Sequence, residues 1–141
     1  MQIHEPAHID MEIVSAFARL MPQLSELPAP DQNALEAMMT SDSCRLFLAR
    51  ADDGQIAGSA ALGFYRTPSG LHAWIEDVVV DQAYRRQGIG EALILATIRS
   101  ARELGAHSLS LTSRPARQAA NRLYLRLGFV QWETNLYRLP L

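Results

Sequence analysis

Residues 77–91 read Asp-Val-Val-Val-Asp-Gln-Ala-Tyr-Arg-Arg-Gln-Gly-Ile-Gly-Glu, and no other stretch constrains the fold as much. A β-branched strand enters a basic turn, and the turn enters a helix through Gly88 and Gly90. A helix that starts this way leaves several backbone N–H groups without an intrahelical acceptor, all pointing out of its positive end. Such a turn suits a phosphate or a pyrophosphate. Glycine has no Cβ, so a ligand can approach the main chain closely. Arg85 and Arg86 add side-chain charge beside it. Other glycine loops fit worse: a dinucleotide fingerprint needs a third glycine near Leu93, and a Walker loop needs Gly-Lys-Ser/Thr. Taken alone, the segment also reads as an ordinary strand–helix turn, so the rest of the chain has to decide.

The 141 residues suit a single domain, 1–141, around one core. Residues 2–6 can form a short first strand. Asp10 is placed to cap a helix carrying Ile13, Phe17, Leu20, Met21 and Leu24 at helical spacing. Pro28 and Pro30 break the chain, and a second helix follows over 31–40. Strands at 44–50 and 55–66 join at Asp53-Gly54, a hairpin signal, and Thr67-Pro68-Ser69-Gly70 turns the chain into a third strand, 71–80. A helix over 89–104, ended by Gly105, leads to a half-buried strand over 106–112. A last helix is expected over 115–127, opened by Pro115 and stopped by Gly128, with short strands at 129–133 and 135–139.

The expected order is therefore β-α-α-β-β-β-α-β-α-β-β. That is an α/β (α+β) fold with a mixed, mostly antiparallel central sheet and flanking helices. The unit across 75–112 should be a right-handed crossover joining parallel strands. In open sheets of this kind a ligand lies beyond the carboxyl end of such a strand, where the glycine turn sits.

Composition narrows the function. No stretch approaches the ~18 unbroken apolar residues of a membrane span, and the N-terminus has no basic head or apolar run. No membrane partner is expected. A formal net charge of −2 argues against a nucleic-acid partner. Cys44 is the only cysteine, which excludes an intrachain disulfide and suits a packed thiol in a cytoplasmic protein. His4, His8, His72 and His107 are scattered without metal-ligand spacing, so no metal is expected.

The helix over 115–127 carries two stripes. Ala116, Ala119, Ala120, Leu123 and Leu127 form an apolar one expected to pack on the sheet, and Arg117, Asn121 and Tyr124 form another. Here the chain resembles the Gcn5-related N-acetyltransferase (GNAT) superfamily. The superfamily's acetyl-CoA motif, Arg/Gln-x-x-Gly-x-Gly/Ala after a strand, stands as Arg85-Arg86-Gln87-Gly88-Ile89-Gly90. Its later motif, an alanine-rich helix ending Leu-Tyr-x-x-x-Gly-Phe, runs from Ala119 through Leu123-Tyr124 to Gly128-Phe129. The resemblance covers nearly the whole chain and is strongest over 70–140. Ser113-Arg114-Pro115 departs from several relatives, which carry an asparagine there.

The resemblance implies acetyl-CoA as cosubstrate. Its diphosphate would lie on the turn made by Arg85, Arg86, Gln87, Gly88, Ile89 and Gly90, with Glu91 just inside the helix. Its pantetheine arm would pair with Val78, Val79 and Val80 as an added strand does, which requires that strand to part from the one at 106–112. Asn121 would hold the cofactor near the pantetheine amides or the sulfur. For the chemistry, the Val78 N–H would stabilise the acetyl oxygen, and Tyr124 would be the general acid for the departing sulfur. Glu76 is the leading candidate for the base, because strand alternation sets it on the same side as Val78. The alternatives for Glu76 are a salt-bridged or solvated strand residue, with a water chain taking the proton. The implied activity is acetyl transfer to a primary amine of a small molecule or of a peptide or protein. A non-catalytic acyl-CoA-binding or sensing module is the alternative. A homodimer through the C-terminal strands, involving Trp132, is a further reading beside ordinary core packing.

Overall fold

Two aspartates fix where the first helices begin. In the computed structural model, which describes residues 1–141, the Asp10 carboxylate accepts the Ile13 N–H at 2.9 Å and opens α1, Met11–Leu20. Asp31 does the same for the Ala34 N–H at 2.8 Å and opens α2, Gln32–Thr40. Each aspartate satisfies a donor that the helix itself cannot. A 3-10 turn, Met21–Gln23, continues α1.

The sheet is built from β1 (Gln2–His4), β2 (Cys44–Arg50), β3 (Ile56–Thr67), β4 (Gly70–Val80) and β5 (Ser108–Ser110), in spatial order β1-β2-β3-β4-β5. All neighbours are antiparallel except β4 and β5, which are parallel and joined through α3, Ile89–Glu103. The expected architecture therefore holds through β5, including the hairpin at Gly54 (φ 87°).

Alternation along β2 separates two cores. Leu46 and Leu48 join Ile13, Phe17, Leu20 and Leu35 of the first two helices. Phe47 and Ala49 join Ile89, Leu93 and Ala101 of α3. One face of the sheet is thus covered by α1 and α2, the other by α3. Contact with α3 is closest at Gly58 of β3. A Cβ there would stand 2.8 Å from the Val79 carbonyl oxygen and 3.2 and 3.3 Å from the Leu93 and Ile89 side chains.

Residues Met1–Leu111 make one compact unit and Thr112–Leu141 a second. Its helix, α4, runs Gln118–Arg126, later than Pro115 predicts. Residues 114–117 form a turn instead, in which the Arg117 N–H reaches the Arg114 carbonyl at 3.0 Å and Asn121 binds the Arg114 and Arg117 carbonyls. The buried stripe is also rotated. Ala116 and Ala119 are exposed, whereas Ala120, Leu123 and Leu127 are half-buried and Tyr124 is buried. Tyr124 therefore belongs to the apolar stripe. No strands form at 129–133 or 135–139. A strand exists only where a neighbour supplies its ladder, so β-favouring residues such as Val130, Trp132 and Tyr137 stay outside any strand and are exposed. No helix is long and apolar enough to cross a membrane.

The fold makes a direct demand on Gly58. Replacing it with alanine should destabilise the protein by about 1–3 kcal/mol through overpacking against backbone that cannot swing away. Urea unfolding of Gly58→Ala checks this; an unchanged midpoint would mean that β3 and β4 can part without loss.

Candidate functional site

The glycine turn begins where the β3–β4 ladder ends. The Asp81 N–H donates to the Ala57 carbonyl at 2.8 Å, and the Asp81 carboxylate accepts the Ala83 N–H at 3.0 Å, opening a 3-10 turn, Gln82–Tyr84. Two residues then take left-handed backbone, Arg86 (φ 64°) and Gly88 (φ 79°). Gly88 is the N-cap of α3 and no side chain caps it. The first intrahelical bond runs from the Ala92 N–H to the Gly88 carbonyl at 3.0 Å. The amides of Ile89 and Gly90 consequently lie at the helix mouth without an intrahelical acceptor, where the helix dipole favours an anion. Nothing lies within 4 Å of a Cβ built on Gly88, so glycine is needed there for its backbone angle and not to relieve crowding. Arg85 Nε donates to the Val80 carbonyl at 3.2 Å, which sets its guanidinium beside the end of β4. Arg86, Gln87 and Gly88 are exposed.

Beside the turn, β4 runs on past the end of β5. The parallel ladder runs only from His72↔Ser108 to Trp74↔Ser110, while β4 continues from Ile75 to Val80 without it. On its other edge β4 stays paired with β3, but with an extra residue. Ser59 faces Val79 and Ala61 faces Glu76, so Asp77 and Val78 together stand opposite Ala60. This is a β-bulge, with Asp77 in the left-handed region (φ 52°). Val78 has no register partner.

The bulge reverses which residues face which core. Before it, Ala73 packs with the α3 cluster; after it, Val79 packs with the α1 and α2 cluster, and Val78 and Val80 turn to α3. Glu76 pairs with Ala61 and so shares the face of Ser59 and Val79. The expected same-side placement of Glu76 and Val78 is therefore overturned, because the extra residue shifts the alternation by one. Glu76 is exposed.

The second unit carries the other candidates. Tyr124 is 7% exposed, and its ring meets Phe129 edge-on at 5.9 Å between centroids. Burial pushes the Tyr124 phenol above its ordinary value, with Arg117 opposing. Asn121 Nδ2 donates to the carbonyls of Arg114 and Arg117 at 3.0 and 2.9 Å, so its amide end fixes the turn before α4, a role the motif did not suggest.

Two groupings escaped the sequence reading. Parallel pairing of β4 and β5 brings His72 and His107 together, edge to face at 4.8 Å, although they are far apart in the chain. Arg19 of α1 reaches the buried Asp81 at 2.9 Å, a contact across 62 residues that no local pattern signals. Burial alone would raise the Asp81 carboxyl, but the Ala83 amide and the Arg19 guanidinium hold it below the usual carboxylate range.

The Acetyltransferase (GNAT) family model matches residues 11–129. A mycothiol acetyltransferase from Nocardiopsis dassonvillei is 31% identical over 124 residues, which are 84% of this chain and 38% of that protein. The chain thus spans less than half the length of that relative. Among solved structures, an acetyltransferase from Trypanosoma brucei has a TM-score of 0.78 at 27% identity, covering 99% of both chains. An aminoglycoside acetyltransferase from an uncultured soil metagenomic sample, in complex with sisomicin, has a TM-score of 0.84 at 20% identity, covering 99% of this chain and 95% of that one. This last likeness is one of fold.

The bulge can be tested by its backbone. Asp77→Val should cost about 1–2 kcal/mol, since a β-branched residue resists left-handed angles, whereas Asp77→Gly should be neutral or mildly stabilising. Equal urea midpoints for the valine and glycine variants would rule out a left-handed residue at this position.

Proposed function

Because the chain belongs to the acetyltransferase (GNAT) family, we propose that it transfers an acetyl group from acetyl-CoA to a primary amine. A small-molecule amine is the favoured acceptor, in keeping with the Nocardiopsis relative that is named for mycothiol. One observation carries the reading. An uncapped helix mouth lies directly after a strand whose second half extends beyond its parallel neighbour. The first feature suits a diphosphate, and the second suits an extended amide-bearing arm.

The residues present fit that ligand. Main-chain donors from Arg85 to Gly90, with the guanidinium groups of Arg85 and Arg86, would take the diphosphate, and Glu91 lies in the first turn behind them. Val78, Val79 and Val80 would offer main-chain groups to the pantetheine amides along the free edge of β4. Asn121 enters on its place in the later motif. When bound, acetyl-CoA supplies an acyl group activated as a thioester.

The chain's own residues then divide the work. The Val78 N–H, which the bulge leaves without a register partner, is the donor proposed for the oxygen on which negative charge develops. Tyr124 Oη is proposed as the proton donor to the departing sulfur, on its match to the family motif. Its raised pKa supports this role, since the phenol keeps its proton throughout the neutral range. The Glu76 carboxylate is proposed to take the amine's proton, directly or through water. Lying on the Val79 face, it would approach from the side opposite the Val78 side chain.

Calorimetry with CoA and a thiol-release assay over a panel of amines test the proposal. Gly88→Val should abolish CoA binding, while Tyr124→Phe should keep the affinity and lose about 10²–10⁴-fold in turnover. CoA binding equal to wild type in Gly88→Val would remove the basis of the assignment, and binding without turnover for any amine would favour the sensing module.

The pH profile separates the acid from the base. Tyr124 must be protonated to act, so turnover should fall on the alkaline side only beyond the ordinary tyrosine value of about 10. Glu76→Gln should slow turnover and move the profile towards alkaline pH, because the amine must then lose its proton unaided. An unshifted profile would return Glu76 to a structural role.

A further inference from the structure

We infer that Arg19, Gln23 and Asp81 are positioning residues that hold the turn at 82–90 in its anion-binding shape. The inference rests on reading that turn as the acetyl-CoA diphosphate site. Arg86 and Gly88 both take left-handed backbone, and the residues from Arg85 to Gly88 are all exposed. Little in the turn's own packing holds it in this form, so the restraint comes from its entry.

That restraint is polar and comes from distant elements. Asp81, 5% exposed, is bound through its own N–H to Ala57 of β3 and through its carboxylate to the Ala83 N–H. Arg19 Nε donates to the same carboxylate at 2.9 Å, and a second Arg19 nitrogen donates to the Ile56 carbonyl. One turn of helix later, Gln23 Oε1 accepts the Gln82 N–H at 2.8 Å, while Gln23 Nε2 donates to the Arg19 carbonyl at 3.2 Å. Arg19 and Gln23 are four residues apart on one helical face, so α1 and its 3-10 extension grip two successive residues of the turn entry. On the far side, the Tyr84 hydroxyl donates to Asp53 of the β2–β3 hairpin at 2.6 Å.

A neutral cap would satisfy the Ala83 amide equally well. A carboxylate this buried is costly unless a cation answers it, and Arg19 is that cation. The charge arrangement has a consequence for an anion-binding turn. Losing Arg19 leaves a buried negative charge at its foot, whereas losing the Asp81 charge leaves only an extra hydrogen-bond donor. Ordering the turn in advance also removes a cost that the ligand would otherwise bear on binding.

The test uses the full chain and CoA as probe, by calorimetry well below the unfolding temperature. Arg19→Gln should weaken CoA binding by roughly tenfold or more, about 1.4 kcal/mol. Asp81→Asn should weaken it less, and Arg19→Gln combined with Asp81→Asn should recover part of the loss. A purely structural pair would lower the unfolding temperature of all three variants while leaving the CoA affinity of the folded protein unchanged, and that result overturns the inference. Should Arg19→Gln fail to fold, Gln23→Ala carries the test. It removes the Gln23 contacts to Gln82 and Asp81 while leaving the Arg19–Asp81 pair in place, and should weaken CoA by a few-fold, with faster hydrogen exchange at the amides of 82–90; wild-type affinity and exchange would overturn the inference. Absence of CoA binding to the unsubstituted chain would remove the reading of the turn and this inference together. Intact binding in the unsubstituted chain and in every variant would remove this inference alone.

Discussion

The extra residue in β4 is the constraint on which the remaining geometry depends. A regular strand keeps one alternation along its whole length, so a change in which side chains face which core needs a local irregularity. The two-against-one arrangement of Asp77 and Val78 opposite Ala60 supplies that change. It lies beyond Trp74, where the β5 ladder stops, and leaves Val78 outside the register. It also turns Val78 and Val80 to the α3 core, so that the strand enters the glycine turn already seated against the helix that the turn opens. Gly58 serves the same end from β3, since any side chain there would push Val79 and α3 apart.

What was legible in the sequence was local. The caps at Asp10 and Asp31, the Asp53-Gly54 hairpin and the Gly88 helix start each depend on residues within a few positions. Composition and spacing therefore carried them, and the element order could be written down as far as β5. The Gly88 turn was legible for a further reason: its chemistry resides in the main chain, and only glycine placement has to signal it. What failed was relational. Alternation assumed a regular β4, and nothing in Glu76-Asp77-Val78 announces a bulge, because aspartate tolerates left-handed angles without requiring them. Pro115 was a sound helix opener by position, yet Asn121 takes up carbonyls of the preceding turn and the helix starts later. Helical spacing sets Tyr124 in one stripe with Arg117 and Asn121, whereas its ring is buried.

These corrections sharpen the chemistry proposed. A tyrosine on the buried stripe holds its proton more firmly than one on a wet face, since desolvation disfavours the phenolate. That suits a donor to a developing thiolate and would not suit a base. Glu76 moves the other way. It is exposed on the Val79 face, within reach of solvent. If the two act as proposed, a buried phenol and a solvent-exposed carboxylate would give acid and base contrasting environments.

A chain with a formal charge of −2 would have to solve an electrostatic problem locally if it takes up a polyanion as proposed. Overall charge gives it no help in attracting the ligand. Main-chain amides at a helix mouth are suited to this, because they bring partial positive charge without any countercharge to be placed elsewhere. Side-chain charge is then needed only at the rim, where Arg85 and Arg86 stand. The one acidic group at the entry of the turn, Asp81, is buried and bound by Arg19, so its field is met by a cation before it reaches the helix mouth. The same pairing converts a potentially repulsive carboxylate into a mechanical anchor. On the proposed reading, an aspartate in that place would be compatible with anion binding only while the arginine on α1 remains, which would tie a helix on the opposite face of the sheet to the affinity of the turn.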